Sequence, residues 1–286
     1  MNIAEHDLFE ALQSTPSLHA RDSYLYKLLE SCCLDFIGNS DFKSAEAKNV
    51  PFGPFGDLVM PYQRMGAIDS LDLFGLDELI LFSFYLANKG RYKKTIDIGA
   101  NLGLHSILMA KLGFHVTSYE PDDHHFDWLV ERLQLNEVTG NVTPVKAAVS
   151  NEDGMSEFIR VEGNTTGSHL AGAKNNPYGE LTKYMVEVKA AGDVFRDVDF
   201  AKIDAEGHET VILKAVPSAY WEKLETIVEV GTAENAQEIY SYFTDLKVGL
   251  FSQKTGWQKA KTVADIPVSY KEGSLFISSS SKMHWG

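Results

Sequence analysis

The chain of 286 residues has only two cysteines, Cys32 and Cys33, and they are adjacent. A disulfide between neighbours is strained and no third cysteine offers another pairing. The reading is a reducing compartment, with the pair packed on an amphipathic helix. Nowhere do cysteine and histidine cluster at zinc-ligand spacing. Basic residues are scarce, 26 Lys and Arg against 40 Asp and Glu for a net charge of −14. That shortage disfavours nucleic acid and anionic membranes, which both call for clustered cations. No apolar run is long enough to span a bilayer, and the longest, about 79–87, suits a core helix. Residues 1–10 lack the basic-then-apolar order of an export signal, so the expectation is a cytoplasmic protein. Internal repeats are absent. So is the G-x-G-x-x-G spacing that a dinucleotide pyrophosphate requires, which disfavours a nicotinamide-dependent oxidoreductase.

What the chain does have is Thr95-Ile96-Asp97-Ile98-Gly99-Ala100-Asn101-Leu102-Gly103, then Ser118-Tyr119-Glu120-Pro121. A short apolar run ends in an acid and a glycine turn, a helical pattern follows, and a second apolar run ends in a glutamate. This is a strand–turn–helix–strand unit around a nucleoside-like ligand. Glycine lets the backbone approach, the helix start offers free N–H groups, and Glu120 can accept from ribose hydroxyls. A carboxylate beside the turn, Asp97, repels phosphate and suits a cation. S-adenosylmethionine carries a sulfonium and an ammonium, and its carboxylate can sit on the free N–H groups. The bland alternative is an ordinary strand–helix turn.

Around this unit the pattern alternates. Helices are expected over 5–13 and 20–36, the latter with Leu25, Leu28, Leu29 and Phe36 on one face. A Gly/Pro/aromatic segment, 50–62, holds a short strand at 57–60, and its aromatics either cover a ligand cleft or fill a small core. A strongly apolar helix covers 76–89. Strands at 94–98, 114–119 and 142–148 alternate with helices at 103–112 and 122–136. Runs 155–161 and 183–190 read as an antiparallel pair around a polar loop that includes 164–168 and 172–179, of a length suited to an active-site cover. Strands at 199–204, 225–230, 247–252 and 274–279 complete the set, with helices from 207 and over 234–246. This order implies an α/β fold with a mostly parallel sheet and helices on both faces. The division expected is an N-terminal helical and turn-rich extension, 1–75, and a ligand-binding domain, 76–286.

The second dense cluster is Ala201-Lys202-Ile203-Asp204-Ala205-Glu206-Gly207-His208-Glu209. Ligands of open α/β sheets lie at the carboxyl ends of strands, so Asp204, Glu206 and His208 should share a rim with Asp97, Asn101 and Glu120. Two carboxylates and an imidazole there can position and deprotonate a hydroxyl. They could also hold a divalent cation, with Asp204 and Glu229 as candidate ligands. Helix capping explains Glu209 but not His208, since a cation is disfavoured at a helix start.

Taken in order, Asp97 through Gly103, Glu120-Pro121, Asn136 and Lys202 through Glu209 resemble the FkbM-type family of S-adenosylmethionine-dependent methyltransferases over roughly residues 94–232. Where that family usually has valine, this chain has Ala205. The resemblance implies a class I methyltransferase (Rossmann-like) fold with a seven-stranded sheet. It also implies O-methylation of a hydroxyl on a sugar, glycan or natural-product scaffold. The expected cofactor contacts are Asp97, Gly99, Ala100, Asn101, Gly103, Glu120, Pro121 and Ala148. His208 is the first choice of base, with Asp204 and Glu206 orienting it or the substrate. A macromolecular acceptor or a non-catalytic binding module are the alternatives. No aromatic Asn/Asp-Pro-Pro-Tyr-type tetrad points to N-methylation.

Overall fold

The computed structural model describes residues 5–174 and 179–285. Part of the polar loop singled out above, 175–178, and the first four residues lie outside that set.

Helix α1 (Glu5–Ser14) and helix α2 (Tyr24–Asn39) pack with helix α3 (Leu76–Ala87) in one apolar cluster. Ser23 caps α2 by accepting from Tyr26 N. The buried face of α2 is Tyr26, Leu29, Cys33 and Ile37, a stripe turned from the expected one, and Leu28 is 47% exposed. The Cys33 thiol donates to the Phe74 carbonyl at 3.1 Å and burial pushes it up to about 12, so it is packing rather than chemistry. The aromatics of 50–62 also fill core. Phe52 and Phe55 meet Phe9 and Phe82 edge to face, and Phe52 meets Phe42 and Phe74.

The main sheet holds β1 (Lys94–Ile98), β2 (His115–Tyr119) and β3 (Val142–Val145). The chain then leaves for a second sheet made of β4 (Ala148–Ser150), β5 (Gly154–Val161), β6 (His169–Leu170) and β7 (Leu181–Ala190). It returns with β8 (Phe200–Ile203), β9 (Glu225–Glu229), β10 (Gly249–Ser252), β11 (Gln258–Lys259) and β12 (Ser274–Ser278). Strand order is β3-β2-β1-β8-β9-β12-β10-β11, parallel through β9 and antiparallel beyond. Eight strands replace the expected seven. The eighth is a two-residue, exposed edge with no alternation to reveal it. The expected strand over 142–148 is two strands in two sheets, because the chain steps out at Lys146-Ala147 and Ala148–Ser150 pairs instead with Val188–Ala190. The antiparallel pair is present as β5 and β7.

Strand side chains alternate between two cores. Val116, Phe200, Ile227 and Phe276 face α3, helix α4 (Leu104–Lys111) and helix α5 (Asp123–Leu135). Ile96, Ile98, Ala201, Ile203 and Val228 face helix α6 (Glu209–Ala215) and helix α7 (Ala233–Asp245). Among the described residues no helix is long and apolar enough to cross a membrane.

Candidate functional site

The strand order reverses between β1 and β8, and a cavity of about 610 Å³ opens at the carboxyl ends of these strands. The turn after β1 brings Gly99 (φ +74°) against β8 so closely that a Cβ there would lie 1.8 Å from the Asp204 carbonyl oxygen. Only glycine fits. Gly99 N and Ala100 N both donate to the Tyr119 carbonyl, which seats the turn on β2. Asn101 takes a left-handed conformation (φ +51°), and its N–H donates to Glu120 Oε2 at 2.8 Å. Asp122 N donates to Glu120 Oε1 at the same distance. Burial pushes the Glu120 carboxyl up to about 8, and Asp122 and Asp97 add to the rise against these two hydrogen bonds.

Of the expected cofactor contacts, Gly99, Asn101, Glu120, Pro121 and Ala148 line the cavity, whereas Asp97, Ala100 and Gly103 do not. Asp97 is fully buried beneath the turn, where Oδ2 accepts from Ser106 Oγ at 2.6 Å. Its position in the pleat decides this. Ile96 and Ile98 face α6 and α7, so Asp97 faces α3 and α4. Gly103 starts α4 against Leu129, whose Cδ1 leaves 2.4 Å for a Cβ. Asn136 clamps the Val59 backbone, accepting its N–H at 2.9 Å and donating to its carbonyl at 2.8 Å. Its role here is to tie the N-terminal segment to α5.

Asp204, Glu206, His208 and Glu229 all line the cavity. Glu206 pairs with Lys174 at 2.5 Å, and burial with Asp204 nearby pushes it up to about 7 against that lysine. His208 Nε2 lies 2.8 Å from Ser150 Oγ, and burial lowers the imidazole below its ordinary value. Glu209 is turned away. Its Oε1 accepts from Ala205 N and Gly207 N, so it braces the turn. Glu229 is raised well above the ordinary range by burial, then by Asp204, Glu206 and Glu78. Its ionisation therefore costs stability progressively as pH rises above about 4.5 toward its folded value. Glu229→Gln should raise Tm by roughly 3 °C or more at pH 8 and by little at pH 5 in thermal melts. An equal Tm at both pH values would sink this account.

Several site residues are not signalled as such by the sequence. Lys202, in register with Asp97, is nearly buried, with Nζ 3.4 Å from the Gly99 carbonyl, 3.4 Å from Asp204 Oδ2 and 3.9 Å from Asp97 Oδ1. A lysine inside an apolar strand demands such partners, and Lys202 also opens the segment through Glu209 that carries the family resemblance. His169 reaches the cavity from β6 and Glu78 from α3, while Lys174 reaches it from the polar loop stretch 172–179 that the sequence does single out. Thr165 and Ser168, in the other stretch of that expected loop, line it as well. Among the described residues no group of three His, Cys, Asp or Glu side chains is set to hold a metal ion. Beside Asp204, which with Glu229 was a candidate metal ligand, lies the positive charge of the Lys202 ammonium.

Residues 97–248, more than half of the chain, match the family model of the methyltransferase FkbM domain. The chain is 27% identical over 167 residues to the methyltransferase sdnD of Sordaria araneosa, covering 46% of this chain and 64% of the relative. It is 25% identical over 155 residues to the hexuronic acid methyltransferase AglP of Haloferax volcanii, covering 53% and 62%. It thus spans less than two thirds of either relative. Among solved structures it is similar to the FkbM methyltransferase of Methylobacillus flagellatus KT, with a TM-score of 0.41, 16% identity and coverage of 65% of this chain and 43% of that one. The turn after β1, the glutamate closing β2 and the acidic turn after β8 fall inside the matched span, and the chain belongs to the FkbM methyltransferase family.

Proposed function

We propose that this chain is an S-adenosylmethionine-dependent O-methyltransferase acting on a hydroxyl of a sugar, glycan or natural-product scaffold. Glu120 carries the reading. Each of its oxygens accepts one backbone N–H and keeps lone-pair capacity, and the residue lines the cavity. A pair of neighbouring ribose hydroxyls fits that carboxylate. Asn101 Oδ1, buried without a partner on the same turn, fits an N–H donor. Pro121 and Ala148 would flank the nucleoside. The cofactor supplies an electrophilic methyl group, and the remaining work falls to this chain.

The acceptor would enter on the side of Asp204, Glu206 and His208, where alignment and exclusion of water do most of the catalysis. With Ser150 Oγ donating to Asn151 Oδ1 at 3.0 Å, its oxygen can accept from His208 Nε2–H, the tautomer that would leave the lone pair on Nδ1. That nitrogen would take the hydroxyl proton, with Asp204 and Glu206 orienting the acceptor. The similarity to a hexuronic acid methyltransferase supports a sugar acceptor. Net charge −14 and an acid-rich rim favour a neutral or cationic small molecule over RNA. We assign 76–286 to the catalytic unit and 1–75 to an extension packed on α3.

His208→Ala should lower turnover by roughly 100-fold or more while S-adenosylmethionine affinity stays unchanged. Because burial lowers His208, the rate of the wild-type protein should fall on the acid side only below about pH 6.5. Turnover retained by the alanine variant would remove His208 as the base.

A further inference from the structure

Helix α3 is apolar along most of its length, and the reaction described above gives no role to the carboxylate it presents to the cavity, Glu78. Its neighbour Asp77 pairs with Arg21. Glu78 instead joins Gly99, Asn101 and Asp204 in the cavity wall. Its Oε2 lies 2.9 Å from His105 Nε2 on α4, and His105 Nδ1 is hydrogen-bonded at 2.9 Å to the hydroxyl of fully buried Tyr85. Two helices thus fix the carboxylate in place. A purely structural ion pair would enclose both partners, yet the Glu78 side chain remains 31% exposed against 11% for His105. Burial works to raise Glu78, but His105 and Lys202 outweigh it and hold the group below the usual carboxylate range. Glu206 and Glu229 are shifted the other way. Glu78 is therefore kept ionised at neutral pH, as is Asp122, which Arg160 already occupies; Glu78 is already oriented, and pairing with a cation costs it little further ordering.

Position along the cavity identifies the cation. Glu120 closes β2, the Gly99–Asn101 turn follows β1, and Glu78 stands on the side of Lys202 and Asp204, on and after β8. A ligand whose ribose lies at Glu120 and whose chain crosses the turn brings its amino-acid end toward Glu78. Asn101 Oδ1 is a second free acceptor on that path.

We propose that Glu78 anchors the α-ammonium group of S-adenosylmethionine, with His105 and Tyr85 as its positioning residues. The proposal rests on the cofactor reading given above.

The test is calorimetry on the full chain with two ligands. One is S-adenosylhomocysteine. The other is its deamino analogue, an adenosyl thioether of 4-thiobutyrate, which keeps the carboxylate and lacks the amine. The wild-type protein should prefer S-adenosylhomocysteine by about 10- to 100-fold. Glu78→Gln should shrink that preference to about threefold or less and leave the affinity for the deamino analogue unchanged. His105→Asn leaves the carboxylate present but unheld and should reduce the preference part of the way. It carries the test if the glutamine variant does not fold. A preference unchanged in a folded variant, or an equal loss for both ligands, overturns the proposal. If the wild-type protein binds neither ligand, the cofactor reading itself falls.

Discussion

Replacing Glu120 with alanine will weaken S-adenosylhomocysteine binding by about 100-fold or more, with the protein still folded. The carboxylate does two things at once. It accepts the N–H groups of Asn101 and Asp122, each at 2.8 Å, and so holds the turn after β1 to the end of β2. It also leaves acceptor capacity for two ribose hydroxyls. Hydrogen bonds to a charged group are worth about 1.5–3 kcal/mol each, so losing two accounts for the size of the effect. Burial pushes Glu120 up to about 8, so the apo protein carries it largely protonated at neutral pH. Binding of a diol then favours the ionised form, and affinity should rise as pH increases from about 6 toward 8. Calorimetric titration of wild type and variant across that range measures both effects. An affinity within threefold of wild type would end the assignment of Glu120 to the ribose.

Lys202→Met will destabilise the protein by about 3–5 kcal/mol at pH 8, lowering Tm by roughly 6–15 °C. Four acids surround this nearly buried ammonium. Asp204 and Asp97 lie within 4 Å, and Glu78 and Glu229 act from farther away. Burial works to lower the lysine, but these acids together raise it above its ordinary value. The sign follows. A lysine raised in the folded state contributes stability that is fully present below its unfolded value and is lost only as pH rises through the folded one. The contribution is therefore intact across the neutral range. Methionine keeps the volume and leaves the acids without their counter-charge. At pH 5 Glu229, held well above its ordinary value by burial, takes up a proton, so the Tm deficit should narrow. Adding Asp97→Asn should restore part of the stability at pH 8, since asparagine can still accept from Ser106. Melts of the three proteins at both pH values test this. A Lys202→Met protein melting within 2 °C of wild type at pH 8 would show that the lysine is not the counter-charge.

Much of the architecture was legible because it rests on local signals. The strand at Lys94–Ile98 lies where the short apolar run and the flanking glycine turn predict it. The two limbs of the antiparallel pair were found from their alternation. Glycine at position 99 announces a close backbone approach, although not that the opposing group is the Asp204 carbonyl. Elsewhere the local signal was ambiguous. An acid in the first turn of an apolar helix reads as a partner for the helix dipole, and Glu78 is disguised by that rule. Asp97 and Glu120 each end an apolar run and look alike in the sequence. One faces Ser106 under the sheet and the other lines the cavity.

By itself the sequence determined the alternation of strands and helices, the two turns that carry the acidic and glycine residues, and membership of the methyltransferase family. Periodicity and turn chemistry act over a few residues and leave their mark there. Only the tertiary structure decided which carboxylates reach the cavity, because the pleat of a strand and its register with a neighbour set the direction of each side chain. The same holds for the departure of Ala148–Ser150 to a second sheet, and for the approach of Glu78, Lys174 and His169 from distant segments. Those placements follow from long-range pairing and packing.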